Sequence, residues 1–409
     1  MKIEKNLQKY AQLVVEVGVN VQKDQIVVIR TPIEGAAFAR AMTESAYKIG
    51  AKKVIVDYSD EQITKLTYTH ASEKTLGEVA DYEVARYEEL VAKNAAFISI
   101  SAGDPDLLKD INPDKISISQ KASGTALKVF RKAISNSDVC WCVVSIPTPS
   151  WSRKVFPNET VDRAEEMLWD KIFEAVRIYD KDPVQAWRKH TDNLGKRCDY
   201  LNKKKIKLLH YIAPGTDLKV ELVKGHKWEG GGEKGTNGIY FVANMPTEEV
   251  FTMPNKYGVN GTLKATKPLV YGGNLIDEFN FKFKDGKIIE FNAKTGKAML
   301  DKLIKTDEGA SYLGEVAIVP VSSPVCQTNT LFFNTLFDEN ASCHFAIGNS
   351  YPTNLEGGTS MTEEELKSNG ANTSITHEDF MVGSNRLNIV ATTEDGETFD
   401  VLKDGEWAF

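Results

Sequence analysis

The sequence predicts two domains, an α/β half on a parallel sheet followed by a β-rich α+β half, and three observations carry that prediction. The chain has 409 residues, room for more than one domain. Up to about residue 205, short continuous apolar runs alternate with helical stripes, the pattern of a parallel sheet covered on both faces. After Lys205 the texture turns to Gly, Thr and Asn with alternating strands and tight-turn dipeptides. The expected division is therefore 1–205 and 206–409.

The elements follow in order. Leu7, Tyr10, Ala11, Val14 and Val15 fall at helical spacing. Ile26-Val27-Val28-Ile29 reads as a buried strand, Ala36, Ala37, Ala41, Ala46 and Tyr47 as the stripe of a helix over 34–49, and Gly50 as its stop. Val54-Ile55-Val56-Asp57 completes a βαβ unit. Residues 74–93 read as one helix, with strands at 95–100 and 139–146. Two further helices are expected over 160–179 and 184–201. His190 falls on the apolar stripe of the second, beside Trp187, and reads as a packed, hydrogen-bonded histidine. In the second half, strands are expected at 206–212 and 218–222 around Pro214-Gly215, and at 279–283 and 288–292 around Asp285-Gly286, a strong hairpin signal. A helix over 296–305 and strands at 315–319 and 331–333 complete the set.

Composition narrows the function. A net charge of -7 without a basic stripe argues against nucleic-acid binding. The five cysteines, Cys140, Cys142, Cys198, Cys326 and Cys343, are odd in number and scattered, so they form no disulfide framework and read as reduced thiols of a cytoplasmic protein. The N-terminus lacks the uninterrupted apolar core of a signal peptide, and no stretch is apolar enough to span a bilayer.

The common catalytic signatures fail. No G-x-G-x-x-G follows the first strand, and Gly230 to Gly235 is followed by Thr236 where a P-loop needs Lys. Gly348-Asn349-Ser350-Tyr351-Pro352 approaches a nucleophile elbow but ends in Pro. Cys343 and His344 are neighbours, which an extended strand points to opposite faces.

What remains is a set of acids and histidines in four segments: Glu248-Glu249, Glu315, Glu339 with His344, and His377 with Asp379. In an extended chain, His377 and Asp379 face the same side while Glu378 points away. Converged, Glu249, Glu315, Glu339, His344, His377 and Asp379 would place four carboxylates and two imidazoles in one pocket. Such crowded charge favours protonation, or two divalent cations that bring the formal sum near zero. Oxygen-rich ligands with some nitrogen suit Zn²⁺, Co²⁺ or Mn²⁺. Each segment taken singly also fits a structural role: a solvated turn, a strand cap, a core histidine, an acidic loop. Spacing alone does not decide, because no compact H-E-x-x-H is present.

At these residues the chain resembles the thermophilic aminopeptidase family, the aminopeptidase T type of metallopeptidases. The resemblance rests on Pro246-Thr247-Glu248-Glu249-Val250-Phe251-Thr252, Gly314-Glu315-Val316-Ala317, Glu339 with His344-Phe345-Ala346-Ile347-Gly348, and His377-x-Asp379-Phe380-Met381-Val382-Gly383. It implies release of N-terminal amino acids from short peptides by two divalent ions that share a bridging water as nucleophile. Carried over, Glu249, Glu315, His344, His377 and Asp379 would be metal ligands and Glu339 a further one; the motif selects Glu249 over Glu248. Glu249 and Glu315 are the candidates for moving the water's proton, and Tyr351 would donate to the developing oxyanion. A homodimer enclosing its active sites is also implied. The alternatives are a dinuclear hydrolase of another bond and a non-catalytic ligand-binding α/β protein.

Overall fold

The computed structural model describes residues 2–271 and 274–409. Contacts divide the chain into two compact units, Met1–Lys189 with Gly232–Pro246, and His190–Gly231 with Thr247–Phe409.

In the first unit, β-branched runs form a four-stranded parallel sheet in the order Lys53–Ser59, Ile26–Pro32, Ala96–Ile100, Trp141–Val144. Val27, Val28 and Ile29 are all fully buried, so this strand is covered on both faces. On one side Tyr10 stacks on Phe38 at 4.7 Å between ring centroids; elsewhere Phe97 meets Phe130 at 4.9 Å. The single helix expected over 74–93 is two, Glu73–Leu76 and Asp81–Ala92, interrupted after Gly77. Helices Glu61–His70 and Pro113–Ala126 bury no residue completely, so neither offers the apolar stripe by which a helix is read from sequence.

The second unit is built from two antiparallel sheets. The larger has nine strands among the described residues, with Pro254–Lys264, Thr216–Leu222, Ile206–Ala213 and Asn388–Thr393 adjacent at its centre. Thr216–Leu222 alternates strictly, burying Thr216, Leu218, Val220 and Leu222. Asp285-Gly286 closes the hairpin from Asn274–Lys284 to Lys287–Thr295, both residues at positive φ. The smaller sheet runs in the order His377–Met381, His344–Gly348, Leu313–Ile318, Val250–Thr252, Glu229–Gly230. One face of each sheet enters a shared core: Tyr211 meets Phe345 at 4.9 Å, and Phe281 meets Phe380 at 5.2 Å. Each fully buried aromatic contributes about 1.5–3 kcal/mol by burial.

The strand expected at 331–333 does not form. Phe333 takes φ of +55°, and the Asp338 carboxylate accepts the backbone N–H groups of Phe332 and Asn334, folding this segment onto the short helix Thr335–Asp338. All five cysteines are free thiols. No helix among the described residues is long and apolar enough to cross a membrane.

Candidate metal centre

Strand parity builds the site. In the smaller sheet, Val250, Val316, Ile318, Phe345, Ile347 and Phe380 point into the shared core. Their sequence neighbours Glu249, Phe251, Glu315, Ala317, His344, Ala346 and Asp379, with His377 two residues before Asp379, therefore point to the opposite face. Register then fixes which meet. Glu315 pairs with Ala346, and Ala346 with Asp379; Ala317 pairs with His344, and Gly348 with His377. Small residues thus alternate with the polar ones across the strands, and Ala346 is the residue between Glu315 and Asp379. Gly348, at φ of +107°, could carry no side chain: a Cβ would lie 2.2 Å from the Thr376 carbonyl oxygen.

The polar atoms gather in two groups that share one residue. Glu249, Glu315 and His344 each bring a ligand atom within 4.8 Å of the others, as do Glu315, His377 and Asp379. His344 Nε2 lies 3.1 Å from Glu249 Oε2 and 3.5 Å from Glu315 Oε1. His377 Nε2 lies 3.5 Å from both Glu315 Oε2 and Asp379 Oδ1. Glu315 therefore turns one oxygen toward each imidazole. Glu339 belongs to neither group, but its carboxyl is near enough to feel the charges of Glu249, Asp379 and Glu315. Tyr351, 44% exposed, sits with its ring centroid 4.7 Å from that of His377.

Both imidazoles are held from behind. His344 Nδ1 donates to the Ser342 carbonyl at 3.1 Å and His377 Nδ1 to the Asn349 carbonyl at 2.7 Å. A carbonyl can only accept, so each Nδ1 carries the proton and each Nε2 faces the cluster. Asn349 also donates its N–H to the Thr376 carbonyl and accepts the Ser374 N–H on Oδ1, fixing the turn into His377. Asp307 secures the same turn, accepting from Ser374 Oγ and the Ile375 N–H at 2.7 Å each.

Crowding shifts the titrations. Burial and then the charges of Glu249 and Asp379 push the Glu339 carboxyl well up. Burial likewise raises Glu249, only partly offset by His344. For Glu315, burial is outweighed by the two imidazoles, and its carboxyl falls to about 2. Burial would lower the histidines, but their carboxylate neighbours win: His377 rises to about 11 and His344 also goes well up. Partial burial and four surrounding carboxylates raise the Tyr351 hydroxyl, which stays protonated. Two buried oxygens, Glu249 Oε2 and Asp379 Oδ1, face no group among the described residues but an imidazole Nε2 each, at 3.1 Å and 3.5 Å. Buried carboxylate oxygens met only by imidazole Nε2 atoms, in a cluster with an excess of acid over base, fit a divalent-cation site.

Glu248 and Glu249 separate by the same parity. Glu248 is buried elsewhere, its Oε2 3.6 Å from His190 Nε2, while its N–H donates to Asn340 Oδ1. His190 Nε2 lies 2.8 Å from the Thr247 carbonyl oxygen. Sequence reasoning missed Asn340, fully buried and donating back to the Leu336 carbonyl, along with the small residues Ala317 and Ala346. The small-large alternation in His344-Phe345-Ala346-Ile347-Gly348 was the available signal for the latter.

A family model described as thermophilic metalloprotease (M29) matches residues 3–407. Aminopeptidase 2 of Geobacillus stearothermophilus is 48% identical over 406 residues, covering 99% of this chain and 98% of the relative. Aminopeptidase AmpS of Bacillus subtilis (strain 168) is 47% identical over 403 residues, 98% of each. The solved structure of wild-type AmpT from Thermus thermophilus superimposes with a TM-score of 0.92 at 37% identity, covering 99% of both chains.

Proposed function

Because the chain belongs to the family of thermophilic metalloproteases (M29), we propose that it is a metal-dependent aminopeptidase that removes N-terminal residues from short peptides. The observation that carries the reading is the pair of donor groups sharing Glu315. Glu249, Glu315 and His344 would hold one divalent ion, and Glu315, His377 and Asp379 a second. Glu339 completes the set, and Zn²⁺, Co²⁺ and Mn²⁺ suit these donors. Two such ions would supply a water-derived nucleophile at neutral pH and polarise the scissile carbonyl.

The chain's own groups do the rest. The carboxylates of the cluster accept hydrogen bonds from the N-terminal amine of a peptide. Glu315 has both oxygens engaged by imidazoles, whereas Glu249 meets only His344, so Glu249 is the better of the two candidates for taking a proton from the water and delivering it to the leaving amine. The Tyr351 hydroxyl, held protonated, donates to the oxygen that gains charge. The free thiols support a cytoplasmic setting, and the resemblance supports a homodimer acting on short peptides.

The test is turnover of a tripeptide panel, amino-acyl anilides and aryl phosphates, before and after chelation. Cleavage of peptides and anilides, abolished by chelator and restored by Co²⁺, Zn²⁺ or Mn²⁺, is expected. Phosphate ester cleavage alone, or peptide cleavage indifferent to chelation, would overturn the reading.

A further inference from the structure

Phe251 sits in the strand Val250–Thr252, whose Val250 and Thr252 are fully buried, so its ring lies on the outer face, where Glu249, just before the strand, also points. It is only half-buried, and its ring stands T-shaped against Tyr351 at 6.3 Å. Tyr351 in turn lies beside His377. Two aromatic rings thus line a flank of the acidic cluster, on a face where Phe251 has Ala317 opposite it on one neighbouring strand and Glu229 on the other. An aromatic ring left half-open beside a polar cluster is suited to cover an apolar group.

We propose that Phe251 is a specificity-determining residue whose ring receives the side chain of the substrate's first residue, favouring peptides that begin with an apolar or aromatic residue. This rests on the aminopeptidase reading above. A first residue whose amine is held at the cluster has these rings within reach of its side chain, since Tyr351 stands beside His377 and Phe251 against Tyr351. Ala317, with only a methyl group, is the smaller of the two residues opposite Phe251.

The test compares kcat/KM for leucyl and glycyl tripeptides in the metal-loaded parent, Phe251→Ala and Phe251→Leu, with metal content measured for each. The leucyl-to-glycyl ratio is expected to fall roughly tenfold or more in Phe251→Ala, carried mainly by KM, and to recover largely in Phe251→Leu. A second readout is thermal protection by the free product: leucine should raise the Tm of the parent more than glycine does, and Phe251→Ala should erase that difference. An unchanged ratio and unchanged protection in Phe251→Ala at equal metal content would overturn the inference while leaving the peptidase intact. Failure of the parent to cleave any peptide would instead overturn the peptidase reading, and this inference with it.

Discussion

Metal uptake should release protons, and the structure says how many at least. In the metal-free protein, burial opposes the charge on both histidines, but carboxylate neighbours raise His377 to about 11 and His344 well up. Both therefore hold a proton on Nε2 near pH 7, and each must give it up to become a ligand. Displacing one proton from each of two histidines makes the product of the two binding constants rise by roughly 100-fold per pH unit near neutrality. Any proton still held by the Glu339 and Glu249 carboxyls, both raised first by burial, adds to that slope when metal displaces it. The stability of the metal-free protein follows the same signs. The histidines' contribution is fully present below about pH 6.5, their unfolded value, and is lost as pH rises through their folded values. The raised carboxyls add a cost that grows as pH climbs above about 4.3. Glu315 acts oppositely, its contribution being lost as pH falls toward about 2. The metal-free protein should thus weaken toward alkaline pH while metal binding strengthens. Isothermal titration in two buffers of different ionisation enthalpy counts the protons. Binding that releases none, or an affinity flat between pH 6 and 8, would refute the account of the cluster.

Three further outcomes follow from the geometry. Glu315→Gln removes the residue common to both groups; since an orienting partner alone is worth about 10–100-fold in metal affinity, retention of both ions should fall by more than that, with turnover down by orders of magnitude and the circular dichroism spectrum preserved. Tyr351→Phe should lower kcat by roughly 100-fold with little change in metal content, which steady-state kinetics beside elemental analysis would check. Phe281→Ala, emptying a site between Phe279, Phe283 and Phe380, should cost about 3–5 kcal/mol in denaturant unfolding, as a core aromatic truncation does.

Local signals made part of this readable from sequence. Ile26 to Ile29 declared a buried strand by β-branching, and Asp285-Gly286 declared a hairpin because few other pairs accept two positive φ angles. Glu61–His70 was illegible because none of its residues is fully buried, leaving no stripe to see. The residues 331–333 have the composition of a strand, but the Asp338 carboxylate, several residues later, captures their N–H groups. At the site, the same-side relation of His377 and Asp379 is a property of any extended chain. Their meeting with Glu315 is not, because it depends on the register of strands that lie far apart in sequence. Glu248 and Glu249 show the limit: both are acidic, and only the burial of Val250 decides that Glu249 shares the cluster's face.

The central claim is that two cations sit on the outer face of the smaller sheet with Glu315 between them. Anomalous diffraction from crystals soaked in Co²⁺ or Zn²⁺ tests it directly. Two peaks about 3.5–4 Å apart, flanking the Glu315 carboxylate with one beside His344 and the other beside His377, are predicted. A single peak, or peaks away from Glu315, would contradict it.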